Sequence, residues 1–167
     1  MKERIRIVPD PDPSNPREES DGWLGQMVCW HRRYVLGDVQ ETQDPEDWLS
    51  SLPAKHVKLP LFLYDHSGLA MNTTGFHCQW DSCQVGWIYT TPAMAKACGL
   101  DWDEDQLAKY LADEVATYSS YLEGDVYGFI HERQCEACGA WEEIDSCWGF
   151  IGRESVEAEL PKGVMVV

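Results

Sequence analysis

Within nineteen residues the chain gathers Asp65, His66, Ser67, His77, Cys78, Trp80, Asp81, Ser82 and Cys83. A thiol near an imidazole is the pairing that nucleophilic catalysis uses, since the ring takes the proton and the thiolate attacks. Cys83 or Cys78 would then serve as nucleophile or ligand, and His66 or His77 as base or second ligand. The plainer alternative is a wide hairpin whose Asp and Ser residues cap turns. No nucleophile elbow, phosphate-binding glycine loop, His-Glu-x-x-His or dinucleotide fingerprint accompanies these residues, so the expectation leans away from an enzyme.

Cys135-Glu136-Ala137-Cys138-Gly139 has the form of half a zinc knuckle, in which the glycine lets the loop fold back over the metal. Zinc would need two further ligands from Cys147, His131, Cys78, Cys83 or His77, and none stands at knuckle spacing. The expectation is therefore no cofactor, with zinc on Cys135 and Cys138 as the alternative. A redox pair is less favoured, because no thioredoxin-like βαβ pattern surrounds the motif. Seven cysteines is an odd number, and without an export signal they read as reduced thiols or metal ligands.

The net charge is −16, and residues 101–159 hold sixteen acids against Lys109, Arg133 and Arg153. Such a field repels nucleic-acid phosphates and attracts basic protein surfaces, so a protein partner is expected and direct nucleic-acid binding is not. Asp103, Glu104, Asp105, Glu142 and Glu143 are the candidate contacts, because these runs exceed what helix capping demands. Plain solubility is the competing explanation of an acidic chain. A divalent cation at Asp101–Asp105 is disfavoured for want of EF-hand spacing. His31, Arg32 and Arg33 form the only basic cluster and are expected to pair with the chain's own carboxylates.

The elements that must position these groups follow from local pattern. Leu59–Tyr64 and Val85–Thr90 read as central strands flanking the loop 65–83, and Gln26–Tyr34 as another. Asp44-Pro45 and Thr91-Pro92 are helix starts, closed by Pro53 and Gly99. Leu107, Leu111, Val115, Tyr118 and Leu122 recur at helical spacing from about Asp103, with Gly124 as the stop. Three segments starting at Asp81, Asp125 and Asp145 each run to Gly-aromatic-Ile and are expected as neighbouring strands, the glycine lying under an aromatic ring. Arg4–Val8 suggests an edge strand, and Lys162–Val167 a final one.

The expected fold is α+β: one mainly antiparallel sheet packed by one long and two short helices. Residues 1–22 are expected as an exposed Pro-rich arm and residues 23–167 as a single domain. No apolar run reaches the roughly 18 residues that a spanning helix needs, and Met1–Asp21 has no signal-peptide core, so a cytoplasmic protein with no membrane partner is expected.

The segments CWHRRYVLGD, LPLFLYDHSG, CQWDSCQVGWIY, YLEGDVYGFI and DSCWGFIG, in that order, resemble a family of small bacteriophage and mobile-element proteins. The resemblance covers most of residues 27–152 and leaves out 1–22 and 153–167. It implies expression in the cytoplasm of a bacterial host. The family carries no assigned activity, so no catalytic residue comes with it. Joined to the charge, it implies an accessory protein that inhibits a host defence system, of anti-CRISPR or anti-restriction type, by occupying a basic nucleic-acid-binding protein surface. The alternative is a small enzyme or zinc-binding protein with a Cys/His site on the loop 65–83.

Overall fold

Alternate residues Leu61 and Leu63 of strand β4 (Val57–Asp65) are buried while their neighbours are half-buried, so this strand has one face on a core and the other partly covered. In the computed structural model, which describes residues 2–19, 22–78, 80–160 and 163–167, the chain forms two compact units. One is Asn15–Leu122; the other joins Met1–Ser14 to Glu123–Val167. The fold class is α+β, as the mixed periodicities predict.

In the first unit a five-stranded sheet runs β3 (Val39–Gln40), β2 (Gln26–Cys29), β6 (Ser82–Thr90), β4, β5 (Leu69–Asn72). Its pairs are antiparallel except β2 with β3. Helix α4 (Glu104–Leu122) packs across β4, β5 and β6, placing Leu107, Leu111, Val115 and Tyr118 in the core with Met27, Leu61, Leu63 and Ile88. Each such side chain, fully buried, contributes about 2 kcal/mol. Helices α2 (Pro45–Ser51) and α3 (Pro92–Ala97) begin at the expected caps: Asp44 Oδ1 accepts the Glu46 N–H at 2.9 Å, and Thr91 Oγ1 that of Met94 at 3.4 Å.

In the second unit the sheet order is β8 (Trp141–Ile151), β7 (Val126–Gln134), β1 (Glu3–Pro9), β9 (Met165–Val166). Helix α5 (Arg153–Glu159) covers one face, where Val156 meets Ile5 and Phe129. Glu132 lies between two arginines, accepting from Arg4 Nε at 2.7 Å and Arg6 Nε at 3.1 Å.

Several expectations are corrected here. The strands at Gln26, Leu59 and Val85 belong to one sheet and those at Asp125 and Cys147 to another, because the shared Asp…Gly-aromatic-Ile pattern specifies a strand but not its partner. Within β8, Asp145 sits opposite His131 and opens no turn. The aromatic cover exists at Gly128, where an added Cβ would lie 2.3 Å from the Trp148 ring, whereas Gly86 faces the backbone of Val28. Within the segment expected as an arm, Glu3–Pro9 is a sheet strand, pairing with β7 along its length and with β9 at Arg4 and Ile5. Helix α1 (Pro16–Glu19) carries Arg17, whose side chain is 1% exposed. Its Nε donates to Asp38 at 2.7 Å, Nη1 to Glu114 at 3.1 Å and Nη2 to the Gly25 carbonyl at 2.7 Å. Three acceptors compensate a burial that a lone guanidinium would not survive. Strand β2 stops at Cys29, short of the Tyr34 expected, and α5 and α1 were not anticipated. The final strand is confined to Met165–Val166, and Lys162 lies outside the described residues.

Candidate functional site

Strand β6 carries an extra residue at Val85 where it pairs with β4 between Leu61 and Phe62. The bulged Val85 carbonyl accepts the Trp30 N–H at 2.7 Å, which pulls the chain after β2 out of the ladder. His31 completes the departure: its Nδ1 accepts the Tyr34 N–H at 3.1 Å and that of Arg33 at 3.3 Å, and its ring stacks on Tyr34. A neutral His31 therefore carries its proton on Nε2.

The turned segment 30–33 walls a cleft of about 540 Å³ whose other sides are the end of β4 and residues 80–83. The basic cluster and the loop, separate in the sequence, thus share one space. Arg33 Nη2 donates to Asp65 at 2.6 Å, and this bond, with a further one to Tyr34, holds the exposed guanidinium above its ordinary pKa. The pairing expected for the basic cluster is present at Arg33. Arg32 has no ion-pair partner among the described residues, and Trp80 is 95% exposed at the rim. Trp30 carried no chemical signal in the sequence; only the bulge brings it here, beside Trp80.

Of the Cys/His candidates, His66 Nδ1 stands 3.3 Å from Asp81 Oδ2, and the Cys78 thiol donates to the same oxygen at 3.4 Å. Asp81 thus separates thiol from imidazole, the reverse of an order in which the histidine stands between nucleophile and carboxylate. Cys83 lines the cleft and is exposed; His77 is exposed and reached by no described hydrogen bond or ion pair. Among the described residues no cysteine hydrogen-bonds a histidine. The turn between β4 and β5 holds Ser67 at φ 56°, so the loop 65–83 contains both a tight hairpin and an edge strand.

The acidic candidates fall in both units: Asp103, Glu104 and Asp105 at the start of α4, Glu142 and Glu143 on the edge strand β8. All five are exposed. Asp103 caps the helix by accepting the Gln106 N–H at 3.1 Å, and Glu104 accepts from Trp102 at 3.3 Å. Glu143 accepts the Ser146 hydroxyl at 2.8 Å.

Cys135 and Cys138 stand in the turn from β7 to β8. The backbone N–H groups of Cys138 and Ala137, and then the Cys138 thiol, bond the Cys135 sulfur and hold its pKa below the ordinary thiol value. The additional ligand candidates do not join them: Cys147 is paired opposite Phe129, and His131 Nε2 donates to the Glu3 carboxylate at 3.1 Å. Among the described residues no three His, Cys, Asp or Glu side chains are grouped to hold a metal. Among the described residues no helix is long and apolar enough to cross a membrane. Comparison of the chain with family models, with curated proteins and with solved structures returned no match.

Proposed function

We propose that the protein acts by binding, as an acidic accessory protein that occupies the basic nucleic-acid-binding surface of a bacterial host's defence protein or nuclease complex, in the manner of an anti-CRISPR or anti-restriction inhibitor. The carrying observation is where the positive charge goes. Arg4, Arg6, Arg17, Arg33, Arg133 and Arg153 all pair with the chain's own carboxylates. Among the described residues none of Asp103, Glu104, Asp105, Glu142 and Glu143 is in an ion pair. The internal pairs absorb the guanidinium charge, and the surplus acid faces solvent, where it steers a basic partner. The host setting rests on the resemblance of the five segments. The Cys/His enzyme reading has less support, because its nucleophile and base are not in contact.

The test uses two variant sets, Asp103→Asn with Glu104→Gln and Asp105→Asn, and Glu142→Gln with Glu143→Gln, in a phage-protection assay against a panel of host defences. Association with the responding target is measured across ionic strength, over which the Debye length falls from roughly 10 Å at 0.1 M to 3 Å at 1 M. Loss of protection with a slower on-rate and unchanged circular dichroism supports the proposal. If both sets match wild type wherever the wild type protects, while Cys83→Ala or His66→Ala abolishes protection, the loop 65–83 is the working site and acidic binding is wrong.

A further inference from the structure

The tip of the β7–β8 hairpin is a closed loop. Gly139 N–H donates to the Cys135 carbonyl at 2.8 Å, Cys135 N–H to the Ala140 carbonyl at 2.8 Å, and Gln134 Nε2 to the Gly139 carbonyl at 3.0 Å. Gly139 takes φ 76°, which side chains disfavour, and so allows the chain to double back directly after Cys138. Inside the loop Cys135 and Cys138 stand three residues apart on one turn, the spacing of a zinc knuckle. Two thiols are therefore carried on one closed turn. Residues 136–140 are exposed, so the pair can be approached from outside.

A pair of this kind is half of a donor set. Zinc takes four donors in a tetrahedron and favours sulfur in closed sites. The same hairpin cannot supply the rest: Cys147 pairs opposite Phe129, five residues along β7 from Gln134 and so about 17 Å away at strand rise. Among the described residues no third His, Cys, Asp or Glu joins a group around a metal position. A second copy of the chain brings an identical pair, and a two-fold axis through the metal would complete the tetrahedron with no other ligand. We propose that two copies of this protein share one zinc ion through Cys135 and Cys138 of each, tip to tip. Four Zn–S bonds form, the ion's waters leave, and each thiol releases its proton to solvent. No oxidant or reductant is involved.

The surroundings fix a further property. Glu142 lies near Cys135 and the whole chain carries −16, so two tips repel each other without the metal. Dimerisation should require zinc and strengthen with salt, opposite in sign to the acidic binding proposed above, so the two proposals fail independently. The experiment titrates the reduced, chelator-stripped full chain with zinc sulfate while mass is followed by light scattering and metal by elemental analysis. The expected result is a monomer without zinc and a dimer holding about one zinc per two chains, with four thiols protected from a thiol reagent. Cobalt in place of zinc should give a sulfur-to-metal charge-transfer band. Cys138→Ser, at an exposed position, should abolish dimer and band, as should Cys135→Ser, while Cys83→Ser and Cys147→Ser leave both intact. One zinc per monomeric chain, or a metal-free monomer at saturating zinc, overturns the proposal. A reduced chain that takes up no zinc and loses two hydrogens from this loop in air also overturns it, showing a disulfide-forming pair.

Discussion

Thr90 is fully buried at the end of β6, and its hydroxyl has no hydrogen-bond partner among the described residues. Desolvating a hydroxyl without a partner costs on the order of 1–3 kcal/mol, so Thr90→Val, which keeps the shape, should stabilise the protein by about 1 kcal/mol in urea denaturation. Arg17 presents the opposite case. Burial lowers its pKa, but Asp38 and Glu114 together outweigh that, and the pKa stands above the ordinary value. The same carboxylates accept the backbone N–H groups of Met27, Leu24 and Gly25 at 2.7, 2.6 and 3.1 Å, so one guanidinium fixes the entry to β2. Arg17→Met should cost about 3–5 kcal/mol by leaving two carboxylates unpaired. Adding Asp38→Asn and Glu114→Gln should recover part of that loss, since each amide keeps an acceptor oxygen; if the triple variant is no more stable than Arg17→Met, packing and not charge sets the cost. Cys29 needs no partner to be inert, because burial, followed by the nearby Asp38, pushes its thiol up to about 12.

At the scale of elements, β2 and β6 approach so closely that a Cβ on Gly86 would lie 2.1 Å from the Val28 carbonyl oxygen. Gly86→Ala must therefore part the two strands, which should lower the melting temperature by several degrees and loosen the cleft that the Trp30–Val85 bond shapes. An unchanged melting temperature would contradict this contact. The same contrast between local and distant causes explains which elements the sequence discloses. Helices α2, α3 and α4 are legible because cap, periodicity and stop are all local: Asp44, Thr91 and the Leu107-Leu111-Val115-Tyr118 row. Helix α5 is not, since it is seven residues long, begins at Gly152 with no side-chain cap bond and buries Val156 alone. Arg17 gives no local signal of its burial, because its carboxylate partners are 21 and 97 positions away. The cysteine pair was legible from spacing, whereas the cleft was not, being assembled from three segments by one bulge.

At the scale of the molecule, the second unit is tied together by carboxylates. Hydrogen bonds from Arg4, against some burial and with help from Arg6, depress the Glu132 pKa, and Arg133 and His131 do the same for Glu3. A depressed folded pKa means stability that is complete above the unfolded value and lost as pH falls through the folded one. Melting temperature should therefore drop as pH falls below the ordinary carboxylate range. Glu132→Gln should melt lower than wild type at neutral pH and converge with it in acid; a gap that persists in acid would show that these pairs do not carry the effect. Those ties join Arg4 to a residue 128 positions later, and strand β1 has no sheet until β7 exists. Residues 15–122 form a unit with all its strands in continuous sequence, so during synthesis on the ribosome it can fold while the first strand still waits. Until residues 126–134 emerge, Ile5 and Ile7 have no partner strand to cover them on a nascent chain.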